Sequence, residues 1–137
     1  MKLPIKIEQN SRSPIYHQIE EQIKALIVSG HLNEGDPLPS IRALAKETAC
    51  SVITTRRAYQ NLEQEGYIRT TQGKGTFVAK VGDEIKEQTK FSTVYHTLSM
   101  AIETGRRHDY SFEQLLDMVD TIIQQQKEKE KEGRGEE

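Results

Sequence analysis

The sequence predicts a mainly α chain with one small β-hairpin: three helices, a two-stranded wing, then two further helices. Three observations predict it. Apolar residues recur at spacings of three and four over most of the chain, which places them on one helical face. That period breaks once, at two short β-branched and aromatic runs flanking the glycine-rich stretch Gln72-Gly73-Lys74-Gly75. Beyond Lys80 the helical period returns.

Each element has its own local signals. Ser13-Pro14 reads as the N-cap and first residue of a helix whose buried face is Ile15, Ile19, Ile23, Leu26 and Ile27, stopped by Gly30. The segment His31-Leu32-Asn33-Glu34-Gly35-Asp36-Pro37-Leu38-Pro39 reads as a structured turn. A short helix follows Ser40, with Ile41, Leu44 and Ala45 inward. After Cys50-Ser51 a third helix runs from about Val52 to Glu65, burying Val52, Thr55, Ala58, Tyr59 and Leu62, and Gly66 ends it. Tyr67–Thr71 and Thr76–Ala79 are the two strands. A fourth helix from Val81 to about Gly105 carries Ile85, Phe91, Val94, Tyr95, Leu98, Ala101 and Ile102 on one face. Ser111 with Gln114 three residues on is a capping box that opens a fifth helix, whose stripe is Phe112, Leu115, Leu116, Val119, Ile122 and Ile123. Residues 126–137 contain no apolar side chain and are expected to be disordered.

Composition narrows the function classes. The 137 residues are 34% hydrophobic and 29% charged, lean for one large core, so apolar surface buried by self-association is expected. No apolar run approaches the ~18 residues of a membrane span, and the N-terminus lacks a signal-peptide core, so a cytoplasmic protein is expected. One cysteine, Cys50, rules out an internal disulfide framework. The net charge of −2 is unevenly shared. Residues 1–79 hold ten basic side chains against eight acidic ones; the remainder holds nine against thirteen. Between residues 40 and 75 six basic residues face only Glu47, Glu63 and Glu65, a local electrostatic footprint for a polyanion.

Two short helices about a tight turn, followed by a hairpin, describe a winged helix-turn-helix. In that geometry the second helix of the pair enters the major groove and its N-terminal residues reach base edges. Those residues are Ser51, Ile53, Thr54 and Arg56: hydroxyl partners and a guanidinium able to grip guanine through two hydrogen bonds. Arg42, early in the preceding helix, can approach the same groove or a phosphate. Gly73, Lys74 and Gly75 form a narrow tip suited to a phosphate ridge or the minor groove. Arg57 and Arg69 are expected to face solvent or phosphate. The four histidines and Cys50 have no metal-ligand spacing, and no metal or cofactor is expected. The tip is not a nucleotide-binding loop, because Ile68 stands where the first glycine belongs and the segment joins two strands. No catalytic set of side chains is recognisable, so an enzyme is not expected.

The ordered string Leu38-Pro39-Ser40-Ile41-Arg42-Ala43-Leu44-Ala45, Ser51, Thr54-Thr55-Arg56-Arg57-Ala58-Tyr59-Gln60-Asn61-Leu62, Glu65-Gly66-Tyr67-Ile68 and Gly73-Lys74-Gly75-Thr76-Phe77-Val78 resembles the GntR family of bacterial transcriptional regulators. The short two-helix remainder resembles its YtrA subfamily. The resemblance implies an N-terminal winged helix-turn-helix over residues 12–80, with the helix-turn-helix proper at about 40–60, and a C-terminal dimerisation segment over 81–125. It matches Arg42 to the arginine of a Pro-Ser-x-Arg motif that contacts base or phosphate. It matches Ser51, Thr54 and Arg56 to recognition-helix contacts, and Gly73 and Lys74 to the wing tip. One departure is Val52, where many family members carry a base-reading arginine.

The expected function is therefore a sequence-specific, homodimeric DNA-binding regulator. A repressor of an operon at an inverted-repeat operator is expected, and the resemblance points to ABC-transporter operons as the class of target. The second reading is a winged-helix module that binds protein or nucleic acid without sequence specificity. Phe91, Leu98, Ile102, Leu115, Val119 and Ile122 are the expected dimer interface. The sequence names no small-molecule effector.

Overall fold

The computed structural model describes residues 2–135. Among the described residues seven elements follow one another: α1 (Ile15–Val28), α2 (Ile41–Glu47), α3 (Val52–Gln64), β1 (Ile68–Thr71), β2 (Gly75–Val78), α4 (Asp83–Arg107) and α5 (Phe112–Gly135). They form two compact units, Met1–Phe91 and Ser92–Glu137.

In the first unit Ile19, Ile23 and Ile27 of α1, at the predicted spacing, pack with Leu44 of α2 and Ala58 and Leu62 of α3. Ile68 and Val78, paired across the hairpin, close the core from the wing side. The strands are antiparallel, with Arg69 opposite Phe77, Thr70 opposite Thr76 and Thr71 opposite Gly75. The turn that reverses the chain requires positive φ at Gly73 (78°) and Gly75 (117°), a region glycine enters without steric cost.

Helix α1 begins one residue later than expected. Pro14, with ψ at 147°, is itself the N-cap and accepts the Gln18 amide at 3.1 Å, while the Ser13 hydroxyl pairs with His17 Nδ1 at 3.2 Å. The segment between α1 and α2 is more than a turn. Gly35 N–H donates to the Val78 carbonyl, Val78 N–H to Asp36, and Leu38 N–H to Thr76, each at 2.9 Å. A bridge between Pro37 and Phe77 completes what amounts to a third edge on the wing.

The chain ahead of residue 12, outside the expected domain, is also structural. Leu3 lies in the core. Gln22 clamps the Lys6 backbone, accepting its amide at 2.9 Å and donating to its carbonyl at 2.6 Å. Gln18 treats Glu8 in the same way at 2.9 and 3.0 Å. Four residues apart, the two glutamines share one face of α1 and hold the arm along it.

Lys24 Nζ joins α1 to the end of α3 through Glu65 at 2.6 Å, with Glu21 at 3.8 Å. Burial alone would lower its pKa, but the hydrogen bond and charge of Glu65, helped by Glu21, outweigh this and leave it raised.

In the second unit the capping box takes the predicted form. Ser111 Oγ accepts the Gln114 amide at 3.1 Å, and Gln114 Oε1 accepts the Ser111 amide at 2.9 Å. Helix α4 does not stop at Gly105. It continues to Arg107, and Asp109 at φ 64° supplies the left-handed residue of the C-terminal cap, with Tyr110 N–H donating to the Gly105 carbonyl at 3.1 Å. Gly105 serves packing instead: a Cβ there would overlap Leu115 Cδ2. Arg106 sits over the Phe112 ring at 4.3 Å and donates to the Tyr110 carbonyl at 3.0 Å, bracing the corner.

Helix α5 also runs beyond expectation. Residues 126–135 are helical where disorder is expected, and residues 136–137 lie outside the described residues. Gln, Lys and Glu are strong helix formers, and Lys127, Glu128 and Lys129 each meet an opposite charge three residues on. Extending an established helix costs far less than nucleating one, so the stretch needs no buried face.

Candidate nucleic-acid interface

The turn between α2 and α3 fixes the site. Ser40 caps α2 by accepting the Ala43 amide at 3.1 Å. At the other end Thr48, Ala49 and Cys50 make a tight reversal: Ala49 adopts φ 54°, its N–H donates to the Lys46 carbonyl at 3.3 Å, and Cys50 N–H donates to the Ala45 carbonyl at 2.9 Å. This paired pattern is a Schellman cap built on alanine rather than glycine. The buried Tyr59 hydroxyl then donates to the Pro39 carbonyl at 2.7 Å, tying α3 to the approach of α2. Burial, followed by the nearby Glu47 charge, raises the pKa of that phenol well above its ordinary value.

With α3 so held, Thr55, Ala58, Tyr59 and Leu62 face the core. Ile53, Arg56, Arg57 and Gln60 are exposed on the opposite side. Arg42 is exposed as the second residue of α2. Among the described residues, no ion pair or hydrogen bond engages the guanidinium of Arg42 or Arg56. Arg57 is engaged, stacked 3.9 Å from the centroid of Tyr16. Arg69 lies 5.4 Å from the Phe77 centroid and donates to Thr71 Oγ1 at 3.3 Å. Gly73, Lys74 and Gly75 are all exposed at the wing tip.

Ser51 and Thr54 come together, with unequal roles. Ser51 Oγ is the N-cap of α3, accepting the Thr54 amide at 3.1 Å and donating to Thr54 Oγ1 at 2.9 Å. The single Ser51 proton is thus committed, whereas the Thr54 hydroxyl keeps its own proton to donate outward. The first turn of α3 also carries the partial positive charge of a helix N-terminus, which favours a phosphate nearby. No acidic residue falls between Glu47 and Glu63. The arrangement offers donors and positive charge, which suits nucleic acid and offers nothing to attack or protonate a substrate. Among the described residues, no three His, Cys, Asp or Glu side chains could hold a metal ion, and no helix is long and apolar enough to cross a membrane.

The predicted interface residues divide differently. Phe91 lies at the end of the first unit, and Leu98, Ile102, Leu115, Val119 and Ile122 lie in the second. Leu98 (54%) and Ile122 (46%) are exposed, and Ile102 and Val119 are half-buried. Leu115 is buried within its own unit against Gly105, so it is unavailable as a contact surface. Sequence periodicity cannot separate these, because both kinds of residue occupy the same stripe.

Comparison with known proteins agrees with this geometry. Residues 15–78 match the model of the "Bacterial regulatory proteins, gntR family". The HTH-type transcriptional repressor YtrA of Bacillus subtilis is 32% identical over 118 residues, covering 86% of this chain and 91% of that one. A GntR family transcriptional regulator from Listeria monocytogenes superposes with TM-score 0.67 at 28% identity, covering 82% of this chain and 97% of the other. The DNA-binding domain of AraR, solved in complex with operator ORX1, superposes with TM-score 0.50 at 31% identity, covering 54% of this chain and 94% of that domain. With a family match over residues 15–78 and a YtrA repressor 32% identical over most of both chains, the chain belongs to the gntR family of bacterial transcriptional regulators, with a YtrA-like layout.

Proposed function

We propose that this chain is a homodimeric, cytoplasmic repressor that binds an inverted-repeat operator and occludes the promoter of an operon, with an ABC-transporter operon as the class of target. The observation that carries the DNA-reading part is the outward face of α3 together with Arg42. There, the Arg42 and Arg56 guanidinia have no protein partner among the described residues, and the Thr54 hydroxyl in the first turn of α3 has an uncommitted proton. Dimerisation is supported by the second unit, where, among the described residues, Leu115 is the buried large apolar residue while Leu98, Leu116, Ile122 and Ile123 are exposed. A second copy related by a twofold axis covers such faces and presents two recognition helices about one helical turn, ~34–36 Å, apart or a multiple of it. Two linked half-site contacts gain ~10²–10⁴ in apparent affinity over one.

Gel-shift titration of the full chain against an enriched inverted-repeat duplex and its scrambled counterpart tests the reading. A preference of ~10³ or more is expected, whereas a ratio near one favours a non-specific winged-helix module. Light scattering of the full chain, with Leu98→Asp and Ile122→Asp beside it, tests the dimer; a monomeric wild type defeats it.

A further inference from the structure

We propose that Ile53 is a specificity residue that reads the 5-methyl group of a thymine in the major groove. The inference rests on the reading of α3 as the recognition helix and adds to it the identity of one base.

Ile53 is 78% exposed, the second residue of α3. Over residues 15–78 it is, among the described residues, the one large hydrophobic side chain left exposed; Ile19, Ile23, Ile27, Leu44 and Leu62 are all buried. It adds little to the fold from there. A β-branched residue in an exposed helical position is a poorer helix former than Ala, Gln or Lys, so local stability does not explain its presence. Its position does. At 100° per residue Ile53 shares a face with Arg56 and Gln60, opposite the buried Thr55, Ala58, Tyr59 and Leu62. Its neighbour in the first turn is Thr54, held by Ser51.

Thymine is the base that presents a methyl group in the major groove, and apolar side chains recognise it by contact. The stiff χ1 of isoleucine leaves little rotamer freedom to lose on docking. Arg56, with its donors, and Ile53, without any, therefore select different base edges from one helix face. Val52, immediately before it, is half-buried, so the apolar contact falls to Ile53.

The test uses the full chain and duplexes enriched from a random pool by that chain. Each thymine of the enriched duplex is replaced in turn by deoxyuridine, which lacks only the methyl group, and binding is followed by fluorescence anisotropy. Wild type is expected to lose about fourfold at one step per half-site, the worth of one buried methyl-sized group. Ile53→Ala, with its fold confirmed by circular dichroism, is expected to bind the thymine and deoxyuridine duplexes equally there. Methyl discrimination that persists in Ile53→Ala, or that wild type shows nowhere, overturns the proposal. If Arg56→Ala and Thr54→Val weaken binding while no step depends on Ile53, this inference alone falls. If the pool yields no enriched sequence, the recognition-helix reading and this inference fall together.

Discussion

The Ser51 hydroxyl donates to the Thr54 hydroxyl at 2.9 Å while it accepts the Thr54 amide at 3.1 Å, so one side chain both closes the start of α3 and orients its neighbour. Stability and recognition should therefore separate by mutation. Ser51→Ala is expected to cost ~1 kcal/mol of stability in urea denaturation, as loss of an N-cap does. Thr54→Val should leave the urea midpoint nearly unchanged and weaken binding to the enriched duplex. Equal effects of both variants on both measurements would mean that the two hydroxyls are not divided in this way.

Arg56→Ala should weaken binding by ~1–3 kcal/mol and relax preference at one operator position, whereas Lys74→Ala should weaken all duplexes alike and lower the salt slope by ~1. Titrations at several salt concentrations distinguish the two. A Lys74→Ala slope equal to wild type takes the wing tip off the phosphates.

Ala49 holds a left-handed conformation, φ 54°, in the turn between α2 and α3. An L-residue there bears ~1–2 kcal/mol of steric cost, part of which is offset by the greater unfolded-state freedom of glycine. Ala49→Gly should raise stability by up to ~1 kcal/mol and leave the Kd for DNA unchanged. A lower melting temperature contradicts the assigned turn.

At Gly105 the ordinary expectation reverses. Replacing a mid-helix glycine by alanine usually stabilises by ~1 kcal/mol, but here the new methyl meets Leu115, which is buried and cannot withdraw freely. Overpacking of this kind costs ~1–3 kcal/mol. Gly105→Ala should lower the melting temperature of the full chain, and Gly105→Ala with Leu115→Ala should recover part of the loss. A stabilised single variant refutes the close contact.

The buried Tyr59 phenol has a raised pKa, so the native state resists losing its proton. Its contribution is complete below pH 10, the unfolded value, and declines as pH rises above it. Lys24, also raised, acts in the same direction above 10.5. Tyr59→Phe should cost ~1 kcal/mol near neutrality through the lost bond to Pro39 and flatten the alkaline fall. Chemical denaturation at pH 7 and above pH 10 measures both effects.

How far the fold could be read in advance depended on whether its causes were local. The Ser111–Gln114 box, the Gly30 and Gly66 stops and the Gly73–Gly75 hairpin are each set by residues within a few positions, and each formed where it was read. The clamped arm over residues 3–8, the Pro37–Phe77 bridge and the packing of Gly105 against Leu115 depend on partners ten or more residues away. Local pattern carries no record of them. At the site, the exposure of Arg42 and Arg56 followed from helical phase. The commitment of the Ser51 proton did not, because hydrogen-bond direction is invisible in residue type.

The glutamine-clamped arm has a practical consequence for anyone transplanting this reading head onto another effector module. Leu3 reaches the core, and Gln18 and Gln22 satisfy the backbone of Lys6 and Glu8. A graft begun at residue 12, where the recognisable motif starts, would take Leu3 out of the core, strip Gln22 of its Lys6 partner and leave Gln18 with the Ser13 carbonyl in place of the Glu8 backbone. Chimaeras should retain residues 3–8 and carry affinity tags away from this arm, since Leu3, Lys6 and Glu8 are fastened to the first unit.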